Sequence, residues 1–122
     1  MLGYVTLGTN DLQRAAGFYD ALLAEIGAKR FMENERFVMW STSPKTPGLS
    51  VIKPFDGNAA TVGNGVMAAI IVDAPAKVDA LHGKGMLLGA KDEGAPGDRG
   101  GGFYAGYLRD LDGNKLNVFC ML

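Results

Sequence analysis

The chain has 122 residues and a net charge of −1, with 12 basic and 13 acidic side chains spread along its length. That length suits a single domain with a real core, and the mixed charge argues against a nucleic-acid surface or a polybasic membrane face. No apolar run reaches the roughly 20 residues of a membrane span, the start carries no signal-peptide pattern, and the lone Cys120 allows no internal disulfide, so a reducing cytoplasmic setting is expected.

Tyr4 to Gly8 reads as a short strand, and Asn10-Asp11 as the cap of a helix. Leu12, Ala15, Ala16, Tyr19, Leu22, Leu23 and Ile26 fall on one stripe of that helix, and Gly27 stops it. Three short strands follow, over about 28–33, 36–41 and 49–53. Asn34-Glu35 makes a tight turn between the first two, and the proline-punctuated run Ser43 to Gly48 links the last two. Residues 56–64, with two glycines and two asparagines, connect this half (about 1–56) to a second (about 63–122).

The second half repeats the plan. Val66 to Val72 is an apolar strand, Asp73 caps, and Pro75 opens a helix to about Lys84 with Ala74, Val78 and Leu81 inward. Leu87 to Asp92 reads as a short strand and Glu93 to Gly101 as a loop. Two aromatic and aliphatic runs then flank a Leu-Asp-Gly-Asn turn, which predicts a closing hairpin. A five-residue turn, Asp110 to Asn114, would pair Arg109 with Lys115 and Tyr107 with Asn117. Asn10 aligns with Asp73 and Tyr4 with Met67, so the repeat rests on element order and spacing.

Two motifs are set aside. Asp110 to Asn114 begins like a calcium loop, but Lys115 and Met121 stand where such a loop needs glycine and glutamate. Gly97 to Gly102 has the glycines of a phosphate cradle without the strand before it and the helix after it. It reads instead as a flap, with Arg99 as an anion contact. His82 is expected at a solvent-facing helix end, and Cys120 as a small buried hydrophobe.

Tyr4 to Tyr19, with its Val-Thr-Leu strand, Asn-Asp-Leu cap and late Phe-Tyr, resembles the vicinal oxygen chelate superfamily of glyoxalases, bleomycin-resistance proteins and extradiol dioxygenases. Gly63 to Ala68 and the run from Asp92 through the closing hairpin extend the resemblance over the whole chain. It implies an α+β fold of two tandem βαβββ modules, forming a curled mixed sheet with helices outside and a concave cleft. The cleft usually holds one divalent metal, a Lewis acid for two neighbouring substrate oxygens. The family's ligand places match Tyr4, Lys53, Met67 and Asn117, none of which suits such an ion, and one histidine cannot furnish an imidazole cluster. No metal and no other cofactor is therefore expected.

Alternation along strands would put Tyr4, Thr6, Val51, Lys53, Met67, Ala69, Phe103, Ala105, Tyr107, Lys115, Asn117 and Phe119 on the cleft side. Of these Tyr4, Thr6, Lys53, Met67, Ala69, Tyr107, Asn117 and Phe119 are the expected ligand-binding residues, with Lys53 supplying the positive charge in place of the metal. Three functions remain open from the sequence. One is a metal-free binder of a small anionic or aromatic molecule, which the resemblance to bleomycin-resistance proteins makes a homodimer with clefts formed from two chains. The second is a lyase, isomerase or dioxygenase-type enzyme working by acid–base chemistry through Tyr4, Lys53 or Tyr107, or with an unorthodox metal. The third is a structural or regulatory remnant whose cleft is plugged by Phe119 and Met67.

Overall fold

A computed structural model describes all residues, 1–122. The apolar alternation of the first half forms β1 (Tyr4–Gly8), β3 (Phe37–Ser41) and β4 (Gly48–Ile52), with β2 (Lys29–Glu33) at the edge and α1 (Leu12–Ala24) packed across them. The Asp11 side chain accepts from Arg14 N at 3.1 Å and so caps α1. Asn10 does not cap the helix. Its Oδ1 and Nδ2 bond the backbone N–H and carbonyl of Ala60, pinning the linker. Gly27, at φ +75°, ends the helix in the left-handed region that glycine tolerates best.

The second half builds β5 (Ala68–Ile71), α2 (Pro75–Leu87), β6 (Lys91–Asp98), β7 (Phe103–Arg109) and β8 (Lys115–Met121). The strand orders are β1-β4-β3-β2 and β5-β8-β7-β6, each with one parallel pair and two antiparallel pairs. The tandem βαβββ plan therefore holds. Within one chain, however, the two sheets are not hydrogen-bonded into a single curled sheet. The main contact between elements of different halves is α1 against α2. One apolar core contains the inward faces of both helices together with Leu7, Val38, Trp40, Val51, Leu108, Leu116, Val118 and Cys120. No helix is long and apolar enough to cross a membrane.

Four expectations need correcting in the second half. The helix runs to Leu87, and β6 spans Lys91–Asp98 where a loop was expected. The Glu-Gly-Ala-Pro-Gly composition hides an edge strand, because its pairing with β7 shifts register twice, between Asp92 and Gly94 and between Gly94 and Gly97. Such irregularities accommodate glycine and a proline that cannot donate to a ladder. Asp73 does not cap α2; the N-cap is Ala74, and Asp73 pairs with Lys77 at 2.7 Å. His82 is only 6 % exposed, between α2 and β6, with Nε2 3.1 Å from Asp92 Oδ1.

The halves are also joined by the β7–β8 turn. Asp110 is buried and accepts from Tyr19 Oη at 2.5 Å, from Asn114 Nδ2 at 3.0 Å, and from the backbone N–H groups of Asp112 and Asn114. Asn114 Nδ2 also donates to the Gly8 carbonyl, and Asp112 accepts from Asn10 N. This turn fixes β8 and β7 relative to α1, and with them the residues on the sheet face turned away from the helices.

Candidate functional site: the open sheet faces

Each sheet turns one face to the helices and one away. In β8, Leu116, Val118 and Cys120 enter the core, so Lys115, Asn117 and Phe119 lie on the other face. The pairings Arg109–Lys115, Tyr107–Asn117 and Ala105–Phe119 match the register expected from the turn and put Phe103, Ala105, Tyr107 and Arg109 on that face too. Ala69 pairs with Asn117 and Ile71 with Phe119, which adds the outward side of β5. Met67, just before β5, is 42 % exposed and lines a groove of about 440 Å³ with residues 62–66, Arg109 and Lys115.

In the first half, Leu7 enters the core and leaves Tyr4 (60 % exposed) and Thr6 on the open face. Ser50 is the partner of Thr6 across β1–β4; it is buried and donates to the Val5 carbonyl at 2.9 Å.

Lys53 is not among these residues. Val51 is fully buried in the core, so the parity of β4 sends its alternate neighbour toward the helix side. Lys53 instead lines a groove of about 620 Å³ with Leu12, Gln13 and Ala16 of α1 and with Arg30 and Glu33. The expectation from sequence places both residues one position out of phase. Val51 and Ile52 are apolar neighbours on opposite faces, so the strand alone does not say which of them is inward.

The face of the second half is rich in positive charge. Arg99 lies in the tight turn after β6, with its Cζ 5.6 Å from the Tyr107 ring centroid and its Nη2 donating to Ala95 O at 2.5 Å. Lys115 Nζ lies 5.4 Å from the same centroid. Arg109 binds Glu93 at 2.5 Å and the Gly113 carbonyl at 3.1 Å. Lys91, opposite Arg109 on β6, completes the group. Glu93 is held below the usual carboxylate range, first by the hydrogen bond from Arg109, with the charges of Arg109, Lys91 and Lys115 adding to it. Asn117 is 1 % exposed, and its Nδ2 donates to Gly106 O at 3.1 Å. Phe119 stacks on Phe103 at 5.2 Å. Arg109 and Lys91 were missed, although the parity that selects Tyr107 also selects Arg109, and Lys115, placed on the cleft side by alternation, was left out of the expected ligand-binding residues.

These residues do not fit a divalent cation. The amide nitrogen of Asn117 is committed to a carbonyl, Tyr4 and Met67 offer a phenol and a thioether, and the only histidine lies on the helix side. No group of three or more His, Cys, Asp or Glu side chains is placed to hold a metal ion.

Two βαβββ units with mixed four-stranded sheets define the vicinal oxygen chelate fold. No protein-family model and no curated protein sequence matches the chain. Among solved structures, it is similar to a glyoxalase/bleomycin resistance protein from Albidiferax ferrireducens T118, with 34% identity and a TM-score of 0.92 over 100% of this chain and 99% of that one. At that likeness over its full length, the chain belongs to the glyoxalase/bleomycin resistance protein family. A glyoxalase/bleomycin resistance protein/dioxygenase family enzyme from Burkholderia phytofirmans PsJN shares the fold at 18% identity, a TM-score of 0.79 and 98% of both chains. Lactoylglutathione lyase from Agrobacterium tumefaciens does so at 20% identity and a TM-score of 0.72, over 98% of this chain and 92% of that one.

Proposed function

We propose that the protein binds a small organic anion, without a metal, in a cleft completed by a second copy of the chain. The observation that carries this reading is the makeup of the open faces. One gathers Tyr107, Asn117, Phe119, Ala69 and Met67 with several cations, and the other offers Tyr4 and Thr6. Aromatic and apolar walls with a few polar groups suit a small ligand. Arg99 and Lys115 supply the positive charge that strand alternation alone assigns to Lys53.

The dimer is supported by what one chain leaves unpaired. β1 pairs only with β4 and β5 only with β8, so each sheet has a free edge beside its open face. Ile71 on that edge is 66 % exposed, and Val66 and Met67, just before the same strand, are exposed too. Unpaired apolar edges are liabilities that a partner strand or sheet removes. Against the remnant reading, Phe119 rests on Phe103 and Met67 stands open to solvent, so neither fills the face.

The test is a ligand screen on EDTA-treated protein, with elemental analysis before and after and mass measurement by light scattering. A dimer that binds small organic anions equally well with and without added Zn²⁺, Ni²⁺, Mn²⁺ or Fe²⁺ is expected. Stoichiometric metal retained through purification and required for binding would overturn the proposal.

A further inference from the structure

Most of the paired cations are structural. Arg30 is held by Asp20 and Glu33, Lys77 by Asp73, Arg14 lies beside Asp112, and Arg109 binds Glu93. Lys91, Arg99 and Lys115 have no carboxylate partner, and all three lie on or against the open face of β6, β7 and β8. The other acids nearby are occupied elsewhere. Asp92 turns to His82 and Gly94 N, Asp98 accepts from Gly100 N, and Asp110 and Asp112 are held by the β7–β8 turn and the β1–α1 corner. A chain of net charge −1 therefore gathers Arg109, Lys91 and Lys115 around a single carboxylate, Glu93, with Arg99 resting on Tyr107 of the same face.

The way two of these cations are held matters as much as their number. A salt bridge positions a cation and cancels its charge. An aromatic ring positions it and leaves the charge available. Arg99 and Lys115 both rest on Tyr107, so their side chains are ordered before any ligand arrives while their charge stays uncompensated. Gly94 makes room for this: a Cβ there would stand 3.3 Å from Arg99 Nη2 and 3.2 Å from Tyr107 Cδ2. Clustered like charges oppose folding unless an anion compensates them.

From this we infer that the open face of β6, β7 and β8 selects a ligand with a doubly negative oxyanion head, a phosphomonoester or a dicarboxylate, joined to an apolar or aromatic body. The inference rests on reading this face as the binding surface and adds the charge of its ligand. Arg99 and Lys115, both held on Tyr107, supply the charge that the head meets, and Lys91 strengthens the field. The body lies along Met67, Ala69 and Phe119.

The experiment titrates the ¹⁵N-labelled full chain with phenyl phosphate, phthalate, benzoate and benzamide, following amide shifts and affinity. Phenyl phosphate and phthalate are expected to bind about tenfold or more tightly than benzoate, with benzamide weakest. Affinity should fall steeply as salt rises from about 0.05 to 0.5 M, and shifts should concentrate in residues 91–119. Arg99→Met and Lys115→Met should each weaken dianion binding about tenfold, while Lys53→Met, on the other face, leaves it unchanged. Both altered residues lie at the surface, and unchanged wild-type-like spectra of the free variants confirm that they fold. Benzoate binding as tightly as phthalate and phenyl phosphate, or indifference to Arg99→Met and Lys115→Met, would overturn the inference and leave the metal-free anion binder standing, whereas benzamide binding as tightly as phthalate would overturn both. If neither the dianions nor benzoate and benzamide bind, both readings fall.

Discussion

Asp20 shows how much one half-exposed carboxylate organises in this molecule. It accepts Arg30 Nε at 2.9 Å and Nη2 at 2.7 Å, and Trp40 Nε1 at 2.8 Å, tying β2 and β3 to α1. Its carboxyl is held below the usual range, first by the Arg30 hydrogen bonds, against a smaller opposing effect of desolvation, with Trp40 assisting. The folded-state pKa thus lies below the unfolded value of about 3.9. The stabilisation is complete above that value and is lost as pH falls through the folded pKa. Urea unfolding followed by the single tryptophan, Trp40, should give a stability that declines below about pH 4. Asp20→Asn should flatten part of the decline, while Asp73, Asp92 and Glu93, also depressed, keep the rest. Half-exposed ion pairs are weak, so a modest change is expected; an unaltered pH profile in Asp20→Asn would show that the clasp contributes nothing.

At the scale of elements, the closing hairpin was the most legible part of the chain. Its register follows from five turn residues whose chemistry is local: Asp110 caps backbone N–H groups within the turn, and Gly113 takes φ +91°, which a side chain disfavours. A Cβ at Gly113 would have room, with Val62 3.5 Å away, so the cost of Gly113→Ala is conformational and should be about 1–2 kcal/mol. What the turn grips was not legible. Tyr19 comes from α1, its hydroxyl pushed well above its ordinary pKa by burial first and by the Asp110 charge second, so it stays a donor at every working pH. Tyr19→Phe should cost about 1–3 kcal/mol by leaving Asp110 one bond short. Urea denaturation of both variants checks these values, and a neutral Tyr19→Phe would mean that the clasp does not join the halves. β6 was illegible for the opposite reason. Its pairing is supplied by β7, and its own composition of Gly, Ala and Pro argues against a strand.

At the scale of the molecule, the two halves share one core through α1 and α2 while their open faces and the β1 and β5 edges remain without partners. If a second copy completes them, Ile71→Asp should place a charge at the joint, reduce the measured mass to that of one 12.9 kDa chain, and abolish ligand binding while the fold persists. A dimer of undiminished mass would locate the interface elsewhere. The sequence by itself determined the tandem plan, the helix stripes, the hairpin register and the absence of an imidazole cluster, because these depend on periodicity, turn chemistry and residue counts. Only the tertiary structure decided the face on which each strand residue lies. Strand periodicity has two phases of equal local cost, and the core chooses between them: it took Val51 inward, carried Lys53 to the helix side, and left Arg99 and Lys115 resting on Tyr107 in the open.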